Sequence, residues 1–164
     1  MKIHLSSDFR GYQLALEIQD WLSSEGSQVV WHGPEAYDEG DDYPLFTIRA
    51  QQAQIVDEDA GVAARTIVVG GDGSGEVIAA NKVSGARAAF AASPKQVELA
   101  RQHADISTLV LGSQHHDLTS AKSLISAFLQ TEFANQMDDA RRIINTTEFE
   151  TSGTIEGWMI NYEG

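Results

Sequence analysis

The stretch Thr66 to Lys82 constrains the chain most. Thr66-Ile67-Val68-Val69 is a run of apolar or β-branched residues that reads as a strand buried on both faces. Four glycines follow within six positions, at 70, 71, 73 and 75, and read as a tight loop; Glu76 to Lys82 reads as the opening of a helix. In such a loop the backbone N–H groups can point inward without a Cβ in the way. The helix dipole adds partial positive charge, so Gly71 to Gly75, with Asp72, Gly73 and Ser74 between, form a cradle for an anion or a developing oxyanion. Glu76 sits at its edge. No Gly-Lys-Ser/Thr follows, so this is not a Walker loop, and it lies too far along the chain for the usual dinucleotide fingerprint. A plainer reading also exists: a turn closing a strand onto a helix, with Glu76 a solvated first-turn acid.

The rest of the chain repeats the same alternation. Ile3 and Leu5 mark a first strand, and Leu14, Ile18, Trp21 and Leu22 a helix that ends at Glu25-Gly26. Val29-Val30-Trp31 is a second strand, followed by an acidic loop from Glu35 to Asp42 and a helix opened by Pro44, with Phe46, Ile48 and Ile55. After the central segment come a strand over Arg87 to Ala91, a helix from Pro94 to near His103, and a strand at Thr108 to Gly112. A polar loop from Ser113 to Asp117, a helix from Leu118 to Leu129 and a last helix over about Phe133 to Ile144 complete the order. This predicts an α/β domain: a three-layer, doubly wound, Rossmann-like sheet of five parallel strands with helices on both faces. Residues 1–150 form that single domain and residues 151–164 a tail, in which Trp158, Met159 and Ile160 carry no motif. Ligands bind such sheets at the carboxyl ends of the strands. Asp8, the glycine loop and Ser113 to His116 all follow strands and should share that edge.

A length of 164 residues suits one domain, and a net charge of −13 argues against a nucleic-acid or anionic-membrane surface, which needs clustered Lys and Arg. An anionic ligand therefore needs a local site. With no cysteine, thiolate nucleophiles and disulfides are excluded. The chain begins directly with strand-like Lys2-Ile3-His4-Leu5, and no apolar run approaches about 18 residues, so a cytoplasmic protein is expected.

Asp8 suits either a cap on the next helix or a hydrogen bond from a substrate hydroxyl. His103, at a helix end, is a dipole partner or a chemical group. His115 and His116 are neighbours on one segment with no supporting Cys or His pattern, so no metal site is read there. His4 and His32 read as structural.

Several motifs together resemble the ribose-5-phosphate isomerase B family, which includes galactose-6-phosphate isomerase subunits. They are Ser7-Asp8-x-x-Gly11, Asp42-Tyr43-Pro44, Gly71-x-Gly73-x-Gly75-Glu76-x-Ile78-Ala79-Ala80-Asn81-Lys82-Val83-x-Gly85-x-Arg87-Ala88, Leu99-Ala100-Arg101-x-His103, Leu111-Gly112, and Ala127-Phe128-Leu129 followed by Arg141-Arg142. The resemblance runs from Met1 to about Ile144. It implies a metal-independent aldose–ketose isomerase without a cofactor, working through a cis-enediol. Such chemistry needs a base beside the acidic carbon, donors for the enediolate oxygen and help in opening the sugar ring. One branch of the family has a cysteine base at the position of Gly70; the branch this chain resembles uses a glutamate at Glu76. The resemblance further assigns ring opening to His103 with Asp8, and enediolate stabilisation to the backbone of Gly71 to Gly75. Tyr43, Asn81, Phe9, Arg10, Gln114 and Arg142 fall at substrate-binding positions. A homodimer with active sites at the interface, completed by the partner's C-terminal helix, is also implied, with pairing into a tetramer left open.

Departures from the family pattern bear on the substrate. Phe9 stands where a histidine is usual, Gln114 where an arginine is, and Asp138 and Asp139 where basic residues are; these positions help hold phosphate. Arg142 persists, and Arg10, in place of a small residue, or His115 offers a substitute charge. Asp72 replaces a Ser or Thr: ionised, it opposes charge in the cradle; otherwise it contacts a hydroxyl or is protonated. Ala104 replaces an asparagine. The expected reaction is ribose 5-phosphate to ribulose 5-phosphate. Another sugar phosphate, an unphosphorylated sugar or uronate, or a sugar-binding homologue without turnover are the alternatives.

Overall fold

A computed structural model describes residues 1–155. Its elements are β1 (Lys2–Ser7), α1 (Tyr12–Ser24), β2 (Gln28–Trp31), α2 (Tyr43–Asp59), β3 (Ala64–Gly70), α3 (Ser74–Ala80), β4 (Ala88–Phe90), α4 (Pro94–Ala104), β5 (Thr108–Gly112), α5 (Leu118–Gln130) and α6 (Met137–Ser152). The five strands pair in parallel in the order β2-β1-β3-β5-β4, so the expected doubly wound sheet is the observed one. β3 lies at its centre, with Ile67, Val68 and Val69 buried as their unbroken apolar run requires.

The two faces of the sheet differ. Ile3, Leu5, Ile67, Val69, Leu109 and Leu111 pack with Leu14, Ile18, Val97, Leu124, Ile125 and Phe128 of α1, α4 and α5 in one apolar core. The alternate residues of the strands are largely polar, including His4, Ser6, Thr66 and Thr108, and all four are buried. α2 answers with a polar stripe: Thr47, Gln51 and Gln54 are buried with Phe46 and Ala50, and Gln51 Oε1 accepts from the Thr108 hydroxyl. Ile48 and Ile55, which signal this helix in the sequence, lie outside that stripe. Hydrogen bonds serve part of this layer, since Gln51 also donates to Gln54 Oε1, while the hydroxyls of Ser6 and Thr66 and the Gln54 amide nitrogen are buried without a partner among the described residues. His4 belongs to the same layer. Its Nδ1 meets His32 Nε2 at 2.8 Å and its Nε2 meets Asp57 at 2.9 Å, which supports the structural reading of both histidines.

The last helix lies further along than expected, at Met137–Ser152. Thr131 to Gln136 is a linker in which Asn135 has φ +49°, and Asp138 and Asp139 form the acidic first turn. The Thr-rich segment is helical all the same, and the hydroxyls of Thr146, Thr147 and Thr151 donate to carbonyls four residues back within it. Trp158, Met159 and Ile160 lie outside the described residues. Among the described residues no helix is long and apolar enough to cross a membrane.

Candidate active site

The parallel register brings the ends of β1, β3 and β5 together: Ser7 pairs beside Val69, and Gly70 beside Gly112. The loops that follow are tied to one another. Ser113 N–H donates to the Gly70 carbonyl, Gln114 N–H to that of Gly71, and the Ser113 hydroxyl to that of Arg10. Asp8 shapes the first loop by accepting the N–H groups of Arg10 and Gly11 at 3.0 and 3.2 Å. It braces the turn before α1, whose N-cap position belongs to Gly11.

Gly73 turns the chain with φ +88°, a left-handed conformation that favours glycine, and α3 begins at the next residue. Glu76 therefore falls in the first helical turn and reaches back over the end of β3. Its side chain is 4% exposed. A Cβ placed on Gly70 would stand 1.8 Å from Glu76 Oε1, so the carboxylate occupies the space a side chain at position 70 would need. A residue-70 base and a Glu76 base of this geometry exclude each other sterically. That accounts for the pairing of glycine with glutamate in this chain.

Burial pushes the Glu76 carboxyl above the ordinary glutamate range, and the negative charges of Asp8 and Asp72 push the same way against the amides of Glu76 and Gly71. Asp72 itself is held low, chiefly by the backbone N–H and hydroxyl of Ser74, with His115 and Arg10 adding attraction. That direction favours the ionised form among the options open at this position. Asp72 also takes the Ser74 N–H for itself at 2.7 Å, so that amide is occupied within the loop.

The rim carries the remaining nearby candidates. Arg10 Cδ and Gln114 Nε2 both lie over Gly71, and the Arg10 guanidinium sits 5.3 Å above the Phe9 ring. Tyr43, at the start of α2, presses its ring on Gly75.

Three other candidates lie elsewhere. α4 runs back across the sheet from the end of β4 to the beginning of β5, which puts His103 at the amino edge. That is a strand length, about 13 Å or more, from the edge carrying Glu76 and Asp8. There His103 Nδ1 donates to Asp139 at 2.8 Å, and Arg142 donates to the other carboxylate oxygen at 2.7 Å. Asn81 ends α3: its amide donates to the carbonyls of Val77 and Ala88 and accepts Ala88 N–H, fastening the helix to the outer edge of β4.

Two contributors are not evident from the sequence. Ser113, a latch between loops, leaves no signal beyond its place after a strand. Asp139 reads there as an introduced acid. Its three-residue spacing from Arg142 is that of a helical ion pair, but nothing local shows the bond to His103.

The family model for Ribose/Galactose Isomerase matches residues 3–145. Ribose-5-phosphate isomerase B of Mycolicibacterium paratuberculosis is 37% identical over 150 residues, covering 92% of each chain. The Escherichia coli protein of that name is 34% identical over 133 residues, 80% of this chain and 85% of that one. Among solved structures, Clostridium thermocellum ribose-5-phosphate isomerase B superposes with a TM-score of 0.85 at 34% identity, over 94% of this chain and 100% of the other. That of Mycoplasma genitalium, with bound ribulose 5-phosphate, gives 0.84 at 30% identity, over 92% and 97%.

Proposed function

The chain belongs to the ribose/galactose isomerase family, and from that premise we propose that it interconverts ribose 5-phosphate and ribulose 5-phosphate through a cis-enediol. The observation that carries this reading is Glu76: a buried carboxylate with raised proton affinity, seated in the first helical turn after the glycine loop. With the sugar open, the Glu76 carboxylate takes the proton from C2. The electron pair moves into a C1–C2 double bond and the C1 oxygen becomes an enediolate, which loop amides stabilise before it takes up a proton. Glu76 then returns its proton to C1 as O2 loses its own, leaving the ketose. Arg10, with Gln114 beside it, is suited to the anionic end of the substrate. The test is incubation with ribose 5-phosphate, with ketose formation followed by NMR. Absence of conversion, for this and for other aldoses, would overturn the reading.

His103 and Arg142 lie too far from Glu76 to join it within one chain, and this supports a homodimer in which a second copy supplies them. α6 packs only lightly on its own chain and exposes Met137, Ile144 and Phe149, apolar groups suited to such an interface.

Two expected results follow from the geometry around Glu76. Gly70→Ala should force the carboxylate aside and lower kcat by about a hundredfold, as ångström-scale misplacement does. Steady-state kinetics check this, with circular dichroism to confirm the fold. Asp72→Ser removes a negative charge that raises the proton affinity of Glu76. The base then stays ionised to lower pH, so the acid limb of the kcat/KM profile should move to lower pH. An unmoved limb would show that Asp72 does not act on the base.

A further inference from the structure

The pairing of His103 with Asp139 has no counterpart among the expectations for this family, whose pattern is basic at that position. Asp139 is 7% exposed although it stands in the first turn of an otherwise exposed helix. Both its oxygens are engaged, Oδ2 by His103 and Oδ1 by Arg142, so the carboxylate cannot turn. His103 by contrast is 53% exposed, and only its Nδ1 is bonded.

We propose that Asp139 is a positioning residue for His103: it fixes the imidazole as the Nδ1–H tautomer and leaves Nε2 as the nitrogen that meets substrate. A carboxylate can only accept, so the proton must reside on Nδ1, and the neutral ring then carries its lone pair on Nε2. His103 first and Arg142 with it hold the carboxyl below the ordinary aspartate range, which favours the acceptor form. The consequence for catalysis rests on the isomerase reading above. A furanose opens when the O1 hydroxyl gives its proton to Nε2, the O–H electron pair forms the C1 carbonyl, and C1–O4 breaks. O4 takes a proton from solvent, and His103 later returns its own to solvent. Asp139 steadies the imidazolium in between, as an acid behind a catalytic histidine does.

The test has a spectroscopic and a kinetic arm. In the full-length protein with 15N-labelled histidine, at a pH where the ring is neutral, His103 should show the Nδ1–H pattern. Asp139→Ala should move it toward Nε2–H, and Asp139→Asn, whose amide oxygen still accepts, should keep it. Asp139→Ala should also lower kcat on ribose 5-phosphate about tenfold, the low end of what losing the partner that orients a histidine costs at metal centres. In a His103→Ala background the same change should cost less than about twofold, because it acts through that ring. An unchanged 15N pattern in Asp139→Ala, or equal losses in both backgrounds, would overturn the proposal. A wild-type protein without turnover would instead remove the isomerase reading, and the 15N arm would still decide the tautomer.

Discussion

Glu76→Gln is expected to lower kcat for ribose 5-phosphate by about a hundredfold to ten-thousandfold, the usual worth of a positioned general base. Gln has nearly the shape of Glu, so it should fill the space against Gly70 and leave the glycine loop as it is. What it lacks is an atom that can take a proton from carbon. Binding should persist, because the loop amides, Arg10 and Tyr43 are untouched. Stability supplies a control whose sign is fixed. The Glu76 carboxyl has a raised proton affinity in the folded state, so its ionisation costs stability as pH rises above the ordinary glutamate range. A neutral amide escapes that cost, and the thermal midpoint at neutral pH should not fall. An inactive variant that still binds and melts no earlier than wild type isolates the chemistry; an unchanged rate would remove Glu76 from the base role.

A mixture of two crippled variants is expected to regain activity. If the catalytic unit joins Glu76 of one copy to His103 of another, Glu76→Gln and His103→Ala homodimers each lack half of every site. Unfolding and refolding them together yields heterodimers. In each, one site pairs the intact Glu76 of the second variant with the intact His103 of the first, and the other site carries both lesions. With random pairing in a symmetric dimer, half the dimers are mixed and half their sites are whole, so about a quarter of wild-type activity should return. No activity beyond the sum of the parents would mean that both groups act from one chain, against their placement at opposite edges of the sheet. Size-exclusion chromatography with light scattering, run on the same samples, confirms that dimers are present.

Much of the architecture is legible in the order of residues alone. Alternating strands and helices dictate a parallel sheet, and the topology then sends Asp8, the glycine loop and Ser113 to one edge without knowledge of a single contact. Local rules fail where tertiary partners decide. Ile48 and Ile55 suggest an apolar face for α2, yet the buried stripe includes Gln51 and Gln54, because Thr108 on the sheet donates to Gln51 and Gln51 in turn to Gln54. The Thr-rich end of α6 looks like a tail, but its hydroxyls bond back along the helix. His103 and Asp139 stand 36 residues apart, and no periodicity links them. The collision that keeps residue 70 a glycine is likewise invisible until the first turn of α3 is built.

The central claim is that Glu76 carries a proton between neighbouring carbons while nearby amides hold the charge. Turnover of ribose 5-phosphate in deuterium oxide tests it most directly, because a carboxyl proton exchanges with solvent while a hydride passed from C2 to C1 does not. Wild-type protein should give ribulose 5-phosphate with deuterium at C1, and Glu76→Gln should give neither product nor label. Ketose formed with all of the original hydrogen retained at C1, or label still appearing at the wild-type rate without Glu76, would contradict the account.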